Sequence, residues 1–285
     1  MNLHRTASKI ARIDALDRLA EPIAGGVKRL APQHSAVKDV LSGTWLGHPL
    51  HPLLTDIPIG SFTSATVLDL LGGREAERAA DRLVDLGLLS SLATAAAGAA
   101  DWSDTYGDDL RTGVVHGLTN AVGVTLYAAS AIARRRGKRA RATILGLAGM
   151  TVMTAAGYLG GYLSYSRGLG VNNAFLEHAP WDWTSVLLAD SLADGATTGV
   201  QADGATVLLH RRGDDILAIG GRCSHAGGPL HEGAVDEGAC TVTCPWHASV
   251  FRLDTGEVVH GPANAPQMAF DTRLVDGRIE IRARR

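Results

Sequence analysis

At 285 residues, a net charge of −2 and a pI near 6.6, the chain has room for two domains and lacks the basic excess of a nucleic-acid binder. Three cysteines exclude a disulfide scaffold. Its 34 glycines, 5% aromatic residues and mean hydropathy of +0.07 suit closely packed membrane helices joined to a soluble part. The charge divides the same way: residues 1–180 carry 18 Lys and Arg against 15 Asp and Glu, and residues 181–285 carry 9 against 14 with no lysine.

Residues 1–47 are polar and basic, with Ile10, Ile13, Leu16 and Leu19 on one helical face. They lack an apolar core, so the stretch reads as a surface helix and not as a signal peptide. Gly47-His48-Pro49-Leu50-His51-Pro52 then opens a first apolar segment, 53–72, and a second covers 83–101. The third (112–133) and fourth (142–166) are uncharged and long enough to span a bilayer. Asp56, Asp69 and Asp85 interrupt the first two and are expected to face the bundle interior or an interface. Gly157 and Gly161, four apart on the last segment, permit close helix contact.

Loop 73–82 holds Arg74, Arg78 and Arg82, and loop 134–141 holds Arg134, Arg135, Arg136, Lys138, Arg139 and Arg141. The loop between them, 102–111, is acidic apart from Arg111. Positive-inside counting puts the two basic loops in the cytoplasm and both termini outside. Arg134-Arg135-Arg136 ahead of the last span also resembles an internal twin-arginine signal.

After a linker, 167–182, short β-type runs begin: 185–188, 206–210, 216–219, 240–243 and 278–281. Asp203-Gly204, Gly213-Asp214, Thr255-Gly256 and Asp276-Gly277 separate them as turns, giving an antiparallel all-β domain. Within it lie Cys223-Ser224-His225 and Cys244-Pro245-Trp246-His247. A thiolate and an imidazole in each half make a set that binds zinc or iron. Zinc fingers pair Cys with Cys and His with His, whereas mixed pairs suit a two-iron cluster with both cysteines on one iron and both histidines on the other. Cys240 reads as a buried structural thiol, and His210, His231 and His260 as surface residues.

The residues around these motifs, with Gly228-Pro229-Leu230, Gly233, Phe251 and Gly261-Pro262-Ala263, closely resemble the Rieske [2Fe–2S] domain over 181–285. The resemblance implies that Cys223 and Cys244 hold the inner iron and His225 and His247 the outer one, in a carrier of single electrons. High-potential members of that family have an extra cysteine in each loop, joined as a disulfide; Gly228 and Trp246 occupy those positions here. Ser249 matches the serine that bonds a bridging sulfide, and Phe251 replaces a tyrosine whose hydroxyl reaches a ligand sulfur. Fewer hydrogen bonds to sulfur imply a potential in the middle or lower part of the Rieske range.

The N-terminal half resembles a family of bacterial four-helix membrane domains that open with a His-Pro-x-His-Pro motif. The matching residues are Gly47–Pro52, Asp56, Pro58-Ile59-Gly60, Asp101-Trp102, His116 and Asn120. In an up-down bundle His48, His51, Asp56, Asp101, His116 and Asn120 gather at one end. His51 and His116 are candidates for ligating a b-type haem or for bonding a quinone headgroup. The alternative is a polar cluster that only ties helix ends together.

The expected architecture is therefore multi-domain: a polar segment (1–47), an all-α four-helix transmembrane bundle (48–166), a linker (167–182) and an all-β Rieske-type domain (183–285). The expected function is one-electron transfer between a membrane donor, quinol or haem, and a separate redox acceptor. The expected location is the bacterial cytoplasmic membrane, with the cluster on the outer face. Two alternatives remain: a redox sensor whose cluster state controls the membrane domain, and a ferredoxin-like partner of a separate oxygenase subunit. An oxygenase in its own right would need a large domain holding a mononuclear iron, and only 38 residues follow His247.

Overall fold

The computed structural model describes residues 3–284. Its helices are α1 (Leu3–Ala11), α2 (Asp17–Leu30), α3 (Ala36–Ser42), α4 (Leu50–Leu71), α5 (Glu77–Trp102), α6 (Gly107–Arg135) and α7 (Arg139–Gly161), the last running into a wide turn at Tyr162–Ser166. Ten strands follow: β1 (Thr184–Leu188), β2 (Thr197–Ala202), β3 (Ala205–Arg212), β4 (Asp215–Gly220), β5 (Ala234–Asp236), β6 (Thr241–Thr243), β7 (Val250–Arg252), β8 (Val258–His260), β9 (Phe270–Val275) and β10 (Arg278–Ala283). The chain divides into two compact units. One comprises the residues up to Ala31 with Leu50–Leu169; the other comprises Pro32–Pro49 with the residues from Gly170 onward.

In the helical unit α4 packs against α5 and α6 against α7, as two hairpins. α5 also meets α6 and α4 meets α7, so α4 and α6 stand at opposite corners. The core is built from Phe62, Ala65, Ala80, Val84, Tyr127 and Ala131, with the Phe62 and Tyr127 rings stacked at 3.8 Å and 13° across the bundle. At one end Asp69 pairs with Arg134 and Arg139, and Arg134 donates to Asp81 at 2.9 Å.

Of the three aspartates expected to face the bundle interior or an interface, Asp69 turns inward. Asp56 is exposed, and Asp85 is half-exposed and bonded to Arg135 at 2.7 Å. Both lie within the first few turns of their helices, where an outward carboxylate keeps its water. Large apolar side chains stand on the outward faces of the long helices: Leu71 is 83% exposed, and Leu89 and Leu92 are each 69%. Among the described residues two helical stretches, Arg74–Trp102 and Arg139–Ser166, are long and apolar enough to cross a membrane. That is fewer than the four expected spans. Thr119, Asn120, Thr125 and Ser130 dilute the hydropathy of α6, and Asp56 and Asp69 that of α4.

The N-terminal segment is also more than a surface helix. Ala20 and Ala24 of α2 pack on Leu110 and Val114, and Ala7 of α1 packs on Leu159 and Tyr162. Arg111 clamps Asp17 through Nε (2.7 Å) and Nη2 (2.6 Å), and also meets Asp14 at 2.6 Å. Alanines line the contact, while Ile13 and Leu19 of the expected apolar face stay 46% and 44% exposed.

The β unit holds three antiparallel sheets, in the orders β1-β10-β9, β2-β3-β4 and β5-β6-β7-β8. Asp203-Gly204 and Asp276-Gly277 make the β2–β3 and β9–β10 turns with positive φ at both positions, the conformation that twist-matched two-residue hairpins require. One core lies among β1–β4 and β9–β10, around Val207, Leu209, Ile279 and Ile281. A second, around Leu208, Ile219, Leu230, Val242 and Phe251, includes Cys223 and Cys244. His210, expected at the surface, is fully buried on the central strand β3, its Nδ1 3.0 Å from Thr197 Oγ1.

Candidate metal centre

Two loops carry the paired motifs. Cys223 and His225 lie between β4 and β5, and Cys244 and His247 between β6 and β7. The loops are built alike. The N–H of Gly227 donates to Cys223 O at 2.8 Å, and that of Ala248 donates to Cys244 O at 3.1 Å, four residues on in each case. Both turning residues have left-handed backbones, φ 78° at Gly227 and 60° at Ala248. Cys223 N–H donates to Gly228 O and Cys244 N–H to Ser249 O, both at 2.8 Å. Each cysteine is thus held at the mouth of a tight knuckle, with its histidine two or three residues later on the rim.

These knuckles bring the four side chains together in like pairs. The Cys223 thiol donates to Cys244; that bond, and then burial, push Cys223 up, and the same bond holds Cys244 down at about 6 although burial acts the other way there. The His225 and His247 rings stand edge to face with centroids 4.9 Å apart. Burial, then His247, then Lys38 push the His225 imidazole down to about 3, so it is neutral and its nitrogen offers a lone pair. Nδ1 of His225 is buried without a hydrogen-bond partner, an orphan that a metal would satisfy. Among the described residues no three His, Cys, Asp or Glu side chains converge on one ion. The donor set therefore fits a binuclear cluster, with sulfur on one side and nitrogen on the other, better than a single zinc.

Four residues fix the loops: Ser249, Gly228, Asn173 and Gln267. Ser249 is buried and its Oγ accepts the N–H of Ala263, which leaves its own proton to donate. Gly228 touches Trp246, and a Cβ there would stand 2.9 Å from Cys244 Sγ. Asn173 donates its side-chain amide to His225 O at 2.7 Å, and its backbone N–H to Ser224 O. Gln267, its amide oriented to suit both neighbours, accepts Ser224 N–H at 2.7 Å and donates to Arg222 O at 3.0 Å. Phe251 is fully buried behind the cysteines, and Cys240 is a buried free thiol outside the set.

The segment 32–49 also belongs to this unit, which the sequence pattern did not reveal. Asp39 accepts from Gly261 N–H at 2.8 Å and meets His260 Nδ1 at 2.9 Å. His34 Nε2 donates to Ala248 O at 2.7 Å, beside His247. Thr44 bonds Ala263 O, and Lys38 is buried within electrostatic reach of His225. The only sequence signal is the helix start Ser35-x-x-Lys38, where Ser35 caps α3.

In the helical unit the structure brings together three of the six candidate residues. His51 Nδ1 lies 2.9 Å from Thr94 O, and His116 Nδ1 lies 2.8 Å from Ala156 O. Asn120 bonds the His116 ring and backbone. Asp56 is exposed, Asp101 lies at the end of α5, and exposed His48 bonds Pro49 O within the β unit.

This is a two-knuckle Cys2His2 iron–sulfur fold. A family model described as the Rieske [2Fe–2S] domain matches residues 182–273, and one described as predicted membrane protein (DUF2231) matches residues 47–173. The 3-phenylpropionate/cinnamic acid dioxygenase ferredoxin subunit of Photorhabdus laumondii is 33% identical over 96 residues, 34% of this chain and 90% of that protein. The anthranilate 1,2-dioxygenase ferredoxin subunit of Burkholderia cepacia is 28% identical over 100 residues, 35% and 91% of the two chains. The solved ferredoxin of carbazole 1,9a-dioxygenase from Nocardioides aromaticivorans shares 29% identity, covering 36% of this chain and 98% of that one, at a TM-score of 0.34. The chain belongs to the Rieske [2Fe–2S] family through its C-terminal domain. That domain is of the kind that carries a Rieske-type cluster and transfers electrons.

Proposed function

We propose that the protein is a membrane-anchored, ferredoxin-like electron carrier, with Cys223 and Cys244 on the inner iron of its cluster and His225 and His247 on the outer one. The observation that carries this reading is the matched pair of knuckles presenting sulfurs to one side and facing imidazoles to the other. When bound, the cluster supplies reversible one-electron chemistry. The chain's own residues do the rest. Buried Cys223, Cys244 and Phe251 exclude water from the sulfur side. The Ser249 hydroxyl is placed to donate toward sulfur, and Trp246, 55% exposed, flanks the histidine side where a partner docks. Dioxygenase ferredoxin subunits among the relatives favour a separate redox protein as acceptor. The apolar outward faces of α5 and α7 support anchoring in the bilayer, with a quinol or a bound haem as membrane donor.

Positive-inside counting favours the cluster on the extracytoplasmic face. Arg134 and Arg135 are engaged by Asp69, Asp81 and Asp85, which suits topology anchors better than a translocation signal. Protease added to intact spheroplasts then removes a C-terminal fragment of about 100 residues; full protection puts the cluster in the cytoplasm. The ligand assignment is tested by electron paramagnetic resonance of the dithionite-reduced protein. About two irons and two acid-labile sulfides per chain are expected, and Cys244→Ser and His225→Ala each abolish the signal. Stoichiometric zinc without sulfide overturns the reading.

A further inference from the structure

The two hairpins of the helical unit are copies of one another. His51 and Phe62 stand 11 residues apart on α4, and His116 and Tyr127 stand 11 apart on α6. Each of these four side chains lies against a glycine of the following helix. A Cβ at Gly98 would meet the His51 ring at 2.7 Å, and one at Gly160 the His116 ring at 3.0 Å. Likewise, Gly87 would strike Phe62 at 2.5 Å and Gly149 would strike Tyr127 at 2.9 Å. Gly87 and Gly98 are again 11 apart, as are Gly149 and Gly160. The histidine bonds repeat too: Thr94 and Ala156, whose carbonyls accept from His51 and His116, each lie four residues before their glycine. Asp69 and Arg134 occupy a further shared position, 18 residues past their histidines, and pair with each other.

α4 and α6 are thus equivalent helices at opposite corners, related by a pseudo-twofold axis along the bundle. Phe62 stacks on Tyr127 across that axis and Asp69 pairs with Arg134 across it. The third layer is the pair of histidines. A carbonyl oxygen only accepts, so Nδ1 of each ring carries the proton and Nε2 presents its lone pair. His116 lies within electrostatic reach of His51. Asn120 donates to His116 Nε2 at 3.3 Å, a long bond that an iron–nitrogen bond outcompetes. Among the described residues no third His, Cys, Asp or Glu completes an ion site here. A bare cation would be under-ligated by two imidazoles. A metal carried in a macrocycle needs only two axial donors.

We propose that His51 and His116 are the two axial ligands of a b-type haem held on the pseudo-twofold axis of the helical unit. The assignment rests on this unit alone and stands independently of the cluster. Gly98 and Gly160 let each imidazole lie flat on its neighbouring helix with its Nδ1 proton on a main-chain acceptor, the orienting bond that ligating histidines use.

The test uses the full chain in detergent, expressed with added 5-aminolevulinate and then titrated with hemin. The expected result is one haem per chain, a Soret band shifted from that of free hemin, and sharp visible bands on reduction. His51→Ala and His116→Ala each weaken hemin binding at least tenfold, and Asn120→Ala retains it. His51→Met and His116→Met keep a thioether donor and shift the reduced spectrum instead of erasing it. Far-ultraviolet circular dichroism reports that the helical unit of each variant is folded, and the cluster's magnetic resonance signal, recorded on the same samples, reads the cluster assignment separately. Hemin that fails to bind a protein with an intact cluster signal overturns the proposal, as does stoichiometric binding that none of the histidine variants alters.

Discussion

Around the cluster loops single atoms decide the chemistry. Phe251 sits fully buried in the core that holds both cysteines, at the position where the Rieske resemblance puts a tyrosine hydroxyl beside a ligand sulfur. Phe251→Tyr is expected to raise the cluster midpoint by tens of millivolts, and Ser249→Ala to lower it by a similar amount, since hydrogen bonds to sulfur stabilise the reduced state. A redox titration followed by magnetic resonance reads both shifts, and an unmoved midpoint in both variants contradicts the loop geometry. Gly228 is a steric case: a methyl there stands 2.9 Å from Cys244 Sγ and 3.1 Å from the Trp246 ring. Gly228→Ala therefore displaces a ligand sulfur, and the purified variant is expected to hold well under half the wild-type iron. Ala248 has φ 60°, a conformation glycine adopts freely, so Ala248→Gly is expected to keep full iron content.

Among the elements, the short α3 and its flanks are the least expected part of the β unit. They come from the opposite end of the sequence, yet His34 bonds Ala248 O beside the second cluster loop, and Asp39 and Thr44 bond residues 260–263. Lys38 of the same segment lies within electrostatic reach of His225. A positive charge there favours the reduced, more negative cluster. At an effective permittivity near 20 such a charge contributes on the order of 1–2 kcal/mol, or tens of millivolts. Lys38→Met is expected to lower the midpoint by that amount and Lys38→Arg to restore most of it; equal midpoints in all three proteins contradict the role. The cluster motifs were legible in the sequence because ligand identity and knuckle spacing are local. So were strands with continuous apolar runs, such as β3 and β4. By contrast β5, β7 and β8 are three residues each, too short to show alternation, and α3 docks through contacts more than 200 residues apart. The histidine–aromatic spacing of 11 was visible but spread over an interval of about 65 residues, and only the paired glycines of α5 and α7 make the duplication plain.

At the scale of the whole molecule, the two units carry separate sources of stability, and each can be weakened without the other. In the helical unit Asp69 and Arg134 are almost wholly buried. Arg134→Leu strands the Asp69 carboxylate with Arg139 alone, a loss of about 3 kcal/mol or more, whereas Asp69→Leu with Arg134→Leu removes both charges and costs much less. In the β unit one buried titratable group is His210, whose imidazole burial holds below its ordinary 6.5. The unfolded chain binds that proton more readily. The neutral ring's stabilising contribution is therefore complete above pH 6.5 and is lost as the pH falls toward the depressed folded value. Thermal bleaching of the cluster, a readout of the β unit, is expected to shift to lower temperature between pH 7 and pH 5. His210→Gln should flatten that dependence, while Arg134→Leu should leave it intact and lower only the helical transition seen by far-ultraviolet circular dichroism. A single transition that moves with either variant would show that the two units unfold as one.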